Sequence, residues 1–268
     1  MPQRTFAIPS EHGAWALWIG PFLVGWGAAG RTTWPLMWTL LAILFTFMGR
    51  HPLMVFVRVL AGRRKREDAR PAALWTAGYF TAAAGCAIAL VAGGQARLLL
   101  LALPAVPLLA WQILLVTRKE ERQLSVEVVG TGVLALAAPA AHVAATGQWT
   151  AFAAILWLLM WLYAVVSVFY IYLRLAQRRL TTLPAVTERL LMGRTAMRVG
   201  ALALVAVSCA SFFGALPRFT PLAWLLVQLQ IIIGTLYPAI GYRPTTLGLK
   251  QVGATALFVA VLIWTIRL

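Results

Sequence analysis

The sequence predicts an all-α polytopic membrane protein: nine transmembrane helices, with the N-terminus inside and the C-terminus outside. Three observations predict it. Of 268 residues, 62% are hydrophobic and 11% charged, under half the roughly 25% charge of a soluble domain, and the mean hydropathy is +0.83. The apolar residues run continuously, without the alternation a membrane barrel needs, so helices are the spanning solution. The cations are lopsided, 23 Lys and Arg against 7 Asp and Glu. With the N-terminus inside, 19 of those 23 fall in inner segments, and Arg31, Arg97, Arg218 and Arg267 fall outside. A missed or invented helix would switch the side of every later loop and destroy that asymmetry.

Taken in order, the first run covers 13–29 and reads as a retained helix rather than a cleaved signal peptide, since it outlasts a short h-region. Gly13, Gly20 and Gly27 place a glycine stripe on it, either for close packing or for a helix bent at Pro21 that lines a cavity. The second run, 35–57, contains Arg50, His51 and Pro52 and leads into the basic segment from Gly62 to Pro71. Runs three and four are 72–92 and 98–117. The fifth, 124–146, begins near Glu127 and offers Gly130, Gly132, Ala135, Ala137 and Ala138 for packing. Its His142 has no acidic neighbour and reads as structural.

The sixth run, 150–173, carries Tyr163, Tyr170 and Tyr172 and leads to Arg174. In the inner segment 174–198, Leu183, Val186, Leu190 and Leu191 share a helical face. Thr181 or Thr182 would cap it and Pro184 would fit its first turn. That segment is either a short helix lying in the inner interface or a solvated basic connector. Runs 197–215, 220–241 and 248–266 complete nine spans in a single transmembrane helical domain over residues 1–268, with no separate soluble domain. Trp34, Trp38, Trp149 and Trp264 fall near outer ends and Trp15, Trp18, Trp75 and Trp111 near inner ones, the usual interfacial belt.

Composition excludes a secreted or cytosolic globule. One aspartate, Asp68, excludes a carboxylate cage or a nuclease with paired aspartates. Cys86 and Cys209 lie in apolar runs, with neither a disulfide framework nor a zinc spacing. No metal and no cofactor is expected, and the partner expected is lipid, not nucleic acid.

The informative residues are ionisable groups within the apolar runs. Arg50 and Arg58 share a face of the second helix, with His51 alongside. A mid-bilayer Arg costs roughly 2.5–3.5 kcal/mol on insertion scales, so these either snorkel to inner headgroups or wall an inner cavity. His12, Arg118, Glu127, Tyr170 and Arg174 reach a similar depth. With every acid paired, 12 inner cations are left over. They would face anionic headgroups at the inner surface, worth about 1 kcal/mol each, or an anionic ligand matched to planar Arg.

The opening Ile8-Pro9-Ser10-Glu11-His12-Gly13-Ala14-Trp15-Ala16, then Gly20-Pro21-Phe22, resembles the first helix of the YwiC-like family of bacterial membrane proteins. Arg50-His51-Pro52-Leu53 and the Arg-rich segment ending Arg70-Pro71 resemble it too. That family brings no established activity. The nine helices, basic loop and Tyr-bearing sixth helix are more distantly similar to UbiA-type intramembrane prenyltransferases. That resemblance implies a UbiA-like bundle with an inner, lipid-open cavity. In those enzymes aspartate-rich motifs hold magnesium and a prenyl diphosphate. Here Arg50-His51 and Ser167-Val168-Phe169-Tyr170 contain no Asp, and magnesium wants hard oxygen ligands, so the metal site does not carry over.

The expected site is a pocket lined by His12, Arg50, His51, Arg58, Arg118, Glu127, Tyr170 and Arg174. It would bind an isoprenoid or phospholipid headgroup in the bacterial inner membrane, with arginine replacing the metal. Catalysis stays open; His12 or His51 beside Glu127 would supply a general base. The competing expectations are a non-catalytic membrane assembly subunit docking through its basic face and, disfavoured by the nearly uncharged outer half, a small-solute transporter.

Overall fold

The computed structural model describes residues 12–117 and 124–268. Every regular element among them is helical: α1 (His12–Ala29), α2 (Trp34–Leu60), α3 (Ala69–Ala92), α4 (Ala102–Thr117), α5 (Leu124–Ala135), α6 (Ala137–Thr146), α7 (Ala151–Gln177), α8 (Val186–Phe212), α9 (Pro221–Leu236) and α10 (Pro244–Arg267). Short 3-10 turns precede α3 and α4, at Arg66–Asp68 and Ala96–Leu101. Six segments are long and apolar enough to cross a membrane: Trp34–Leu60, Arg66–Ala92, Val126–Thr146, Ala151–Gln177, Val186–Phe212 and Pro244–Arg267. The protein is therefore of the multi-pass membrane class. Shorter apolar helices, Trp15–Ala29, Ala96–Trp111 and Pro221–Leu236, fall on the first, fourth and eighth predicted runs.

Local chemistry sets the ends. Thr33 caps α2, its hydroxyl accepting from the Leu36 N–H at 3.4 Å, with Pro35 in the first turn. The same hydroxyl donates to the Ala144 carbonyl on α6 at 3.1 Å. Gly147 ends α6 at φ +73°, a left-handed turn that a Cβ disfavours. Pro104 and Pro107 lack the N–H groups that would bond the carbonyls of Leu100 and Leu103, so the chain approaches α4 as a 3-10 turn. Pro139 likewise cannot donate to Ala135, and the fifth predicted run breaks at Leu136 into α5 and α6.

Two expectations change. The inner segment 174–198 does not hold a separate interfacial helix: from Val186 the chain is helical without interruption to Phe212. Arg189, Arg194 and Arg198 interrupt the hydropathy but not the helical period. Arg194 and Arg198 are exposed, while Gly193, Ala196, Gly200, Ala203 and Val207 are buried on another face. Neither Thr181 nor Thr182 caps it. Ala185 occupies the cap position and has no side-chain acceptor, so only the return bond forms, from the Ala185 N–H to the Glu188 carboxylate at 3.3 Å. Pro184 lies before the cap, its carbonyl accepting from Arg189 Nε at 2.7 Å. The eighth run also ends early, at Leu236 rather than 241, because Pro238 cannot continue a helix.

The chain forms two compact units, Met1–Leu158 and Leu159–Leu268. Hydrocarbon offers helices no gain for burying apolar surface, so association rests on close packing. In the first unit α1 crosses α6 where a Cβ on Gly25 would overlap the Ala138 carbonyl. Every α6 residue from Ala137 to Ala145 is buried. Trp15, Trp18 and Phe47 cluster between α1 and α2, the closest ring centroids 5.1 Å apart. In the second unit α8 meets α9 where Gly193 faces Thr235 and Gly200 faces Gln228 and Ile231. Tyr163 of α7 stacks on Phe258 of α10 with centroids 3.9 Å apart.

Candidate functional site

The first unit contains a cavity of about 390 Å³, within the roughly 300–1,000 Å³ range of small-molecule sites. One face of α2 runs along it: Thr39, Ile43, Thr46, Phe47, Arg50 and Leu53. These recur three and four residues apart, the spacing of a single helical stripe. Phe80, Leu90 and Val91 of α3 form a second wall, the segment from Leu98 to Leu109 a third, and Gly130, Val133, Ala137 and Ala140 of α5 and α6 a fourth.

Polar groups in this lining are few. The hydroxyls of Thr39 and Thr46 donate to carbonyls of their own helix, Pro35 and Ala42, at 2.8 and 2.7 Å. Among the described lining residues Arg50 carries the one charge, and Gln95 supplies an amide near the far end. Arg50 lies ten residues before Leu60, about 15 Å up the helix at 1.5 Å per residue. It is half-buried. Gly49 lets α3 close in beside it: a Cβ there would come within 3.1 Å of the Phe80 ring and 3.2 Å of Tyr79. A guanidinium has five donors in a fixed fork, so Arg50 can hold a protein partner and still turn donors toward an anion.

Of the other predicted site residues, His51 and Arg58 are half-buried on α2 and Glu127 is exposed in the first turn of α5. All three belong to the first unit but are absent from the cavity lining. His12 is the first residue of α1; its side chain, and Arg118 entirely, lie outside the described residues. Tyr170 and Arg174 belong to the second unit.

There Arg174 is buried and turned onto its own scaffold. One terminal nitrogen donates to the carbonyls of Gly234 and Tyr237, at 2.6 and 2.8 Å, and to Gln177 Oε1 at 2.9 Å. Gln177 in turn donates to Gly234 at 3.0 Å and accepts from the Ala239 N–H at 3.4 Å. Arg189 donates to the Leu236 carbonyl at 3.0 Å. The last carbonyls of a helix have no internal donors and carry its negative dipole end; two arginines supply that need for α9. Tyr170 lies under Arg174, 5.8 Å from ring centroid to guanidinium, and against Gly234, where a Cβ would come within 2.6 Å of its ring.

A polar stripe continues along α7. Tyr163 donates to Thr255 at 2.9 Å, Gln251 to Ser167 at 3.4 Å and Gln230 to Gln251 at 3.2 Å. These amides and Gln177 were available as interruptions in apolar runs, but a search for charge passes over them. His142 is buried in α6 with its ring edge-to-face on Phe152, 5.5 Å away, as the structural reading expected.

Asp68 pairs with Arg64 at 2.8 Å in the exposed turn before α3. Among the described residues no three His, Cys, Asp or Glu side chains gather where a metal could bind.

The fold and cavity thus define a multi-pass helical membrane protein with a mostly apolar interior space in its first unit. Residues 8–142 match the family model described as YwiC-like protein. That is just over half of the chain, which belongs to the YwiC-like family. The whole cavity lining, Trp18 to Ala140, falls inside the matched stretch. No curated protein and no solved structure matches the chain.

Proposed function

We propose that this YwiC-like protein binds an anionic amphipathic lipid, an isoprenoid or phospholipid, in the cavity of its first unit. The hydrocarbon lies along the apolar walls and the head reaches Arg50. The observation that carries the reading is one arginine in an otherwise apolar lining. Desolvated charge in a membrane interior is costly and marks function, and arginine suits the planar oxygens of phosphate or carboxylate.

The protein resides in the bacterial inner membrane as one nine-span domain with its N-terminus inside. The three shorter apolar helices, added to the six long ones, support nine crossings. The charge asymmetry supports the orientation. The UbiA-type resemblance supports a cavity with this role, arginine standing where those enzymes use metal. His51, Arg58 and Glu127, in the same unit as the cavity, together with His12 and Arg118, remain candidates for contact with the head.

The test is purification in mild detergent followed by mass spectrometry of the lipids that accompany the protein. An anionic lipid enriched over its membrane abundance, and lost in Arg50→Ala, is expected. Bulk phospholipid in both preparations would sink the reading.

A second reading has its own observation. Arg64, Lys65 and Arg66 are exposed in the turn after α2. As an assembly subunit the protein would dock a partner or anionic membrane through the cluster 63–66, and exchanging those four residues for Gln would abolish association while substitutions at Arg50 and His51 would not.

A further inference from the structure

We infer that the ligand of the cavity is a single-chain lipid of about thirteen to sixteen carbons, taken in sideways from the bilayer between α3 and α4. The inference rests on the lipid-binding reading of the same cavity and adds the class of lipid and its route.

Length and volume agree on one chain. The lining stripe of α2 from Thr39 to Arg50, where the head is held, spans about 17 Å at 1.5 Å per residue. A zigzag hydrocarbon advances about 1.3 Å per carbon, given a C–C bond near 1.5 Å, so that stretch matches about thirteen carbons. The volume sets a ceiling slightly above that length. A cavity of about 150 Å³ holds the six carbons of benzene. At that density the 390 Å³ here holds about sixteen carbons. A two-chain phospholipid with chains of that length brings twice as many. Its chains join within a few atoms of the phosphate, so a head at Arg50 forces the second chain into the same slot.

The route follows from how the walls meet. Helix α3 packs along α2, and α4 packs on α2 and α5, while α3 meets the following segment chiefly at the 3-10 turn Ala96–Leu101. Lining residues on the two sides of this seam are exposed: Val91 at 41% on α3, and Leu99 at 55% and Val106 at 62% across from it. These are apolar side chains facing both the cavity and the surroundings, so a hydrocarbon chain passes between them without leaving an apolar medium. Arg50 lies on the α2 wall of the same cavity.

The experiment compares hexadecyl phosphate with dipalmitoyl phosphatidic acid, which share a phosphate monoester and differ in chain number. Each is titrated into the full-length protein in detergent and followed by native mass spectrometry. Octyl phosphate serves as the short-chain member. Hexadecyl phosphate should bind roughly ten-fold or more tightly than either competitor, and Arg50→Gln should remove the preference together with the binding. Ala102→Trp fills the cavity from the exposed side of the seam, and should shift the optimum toward octyl phosphate. Leu103→Trp, on the neighbouring residue outside the lining, should leave the order unchanged and controls for misfolding. Equal, Arg50-dependent binding of one-chain and two-chain lipids, or identical behaviour of the two Trp variants, overturns the single-chain inference and leaves the lipid-binding reading standing. Binding that ignores Arg50 overturns both.

Discussion

The two units solve the same problem, ordering helices of similar composition, by opposite means. The first unit packs with alanine and glycine around an open apolar space that one arginine enters. The second closes its interior with hydrogen bonds, and its arginine is occupied by helix carbonyls. Both arginines lie inside or at the end of an apolar run, and sequence gives them equal claim to a ligand. Their surroundings separate them: Arg174 lies among the backbone carbonyls at the end of α9, whereas Arg50 lines a mostly apolar cavity.

The largest expected effect tests that contrast directly. Arg174→Ala leaves the Gly234 and Tyr237 carbonyls and Gln177 without their donor, and should destabilise the detergent-solubilised protein by about 2–5 kcal/mol. Arg50→Ala should cost less than Arg174→Ala while abolishing lipid retention. Thermal unfolding of the two variants side by side measures both. If Arg50→Ala unfolds the protein and Arg174→Ala does not, the contrast is reversed.

Packing effects come next. Gly25→Val drives side-chain atoms into the Ala138 carbonyl and should cost about 1–3 kcal/mol, visible as a lowered melting temperature. Gly234→Ala should cost a similar amount through contact with Tyr170. The penalty should shrink in the Gly234→Ala, Tyr170→Ala double variant, giving a measurable coupling in the cycle. Additive losses would mean that the tyrosine does not bear on the glycine.

The smallest effects sharpen the picture by their absence. Asp68→Asn removes an exposed pair with Arg64 and should cost less than about 1 kcal/mol. Gly78→Ala, on α3 with open space where its Cβ would point, should change stability by no more than about 0.5 kcal/mol. A large loss at Gly78 would reveal a neighbour packed against that face.

Much of the helical layout was legible because its cause is local. Continuous apolar runs set the segments, and Pro35, Pro139 and Pro238 act on the bonds of their own helices. The single helix from Val186 was missed because Arg189, Arg194 and Arg198 lower hydropathy while occupying one helical turn after another. Hydropathy measures content, and the helix depends on period. Arg50 was legible as a candidate, but the walls around it were not. A cavity is a property of residues far apart in the chain, and Thr39, Leu90, Val106 and Ala140 look individually like ordinary membrane-helix residues. Gln177 escaped for the opposite reason, since its importance lies in three partners that only the fold brings together.

One consequence follows from the pairing of α8 with α9. The first has 27 residues and the second 16, about 40 and 24 Å at 1.5 Å per residue, and they lie side by side. A hydrocarbon core of about 30 Å suits neither standing upright. Crossing together, the long rod would lean or push its arginine-bearing end into the headgroup layer, while the short one would draw the bilayer thin beside it. Unequal helices paired in this way would make the tilt of the protein respond to the lipid length of the membrane that holds it.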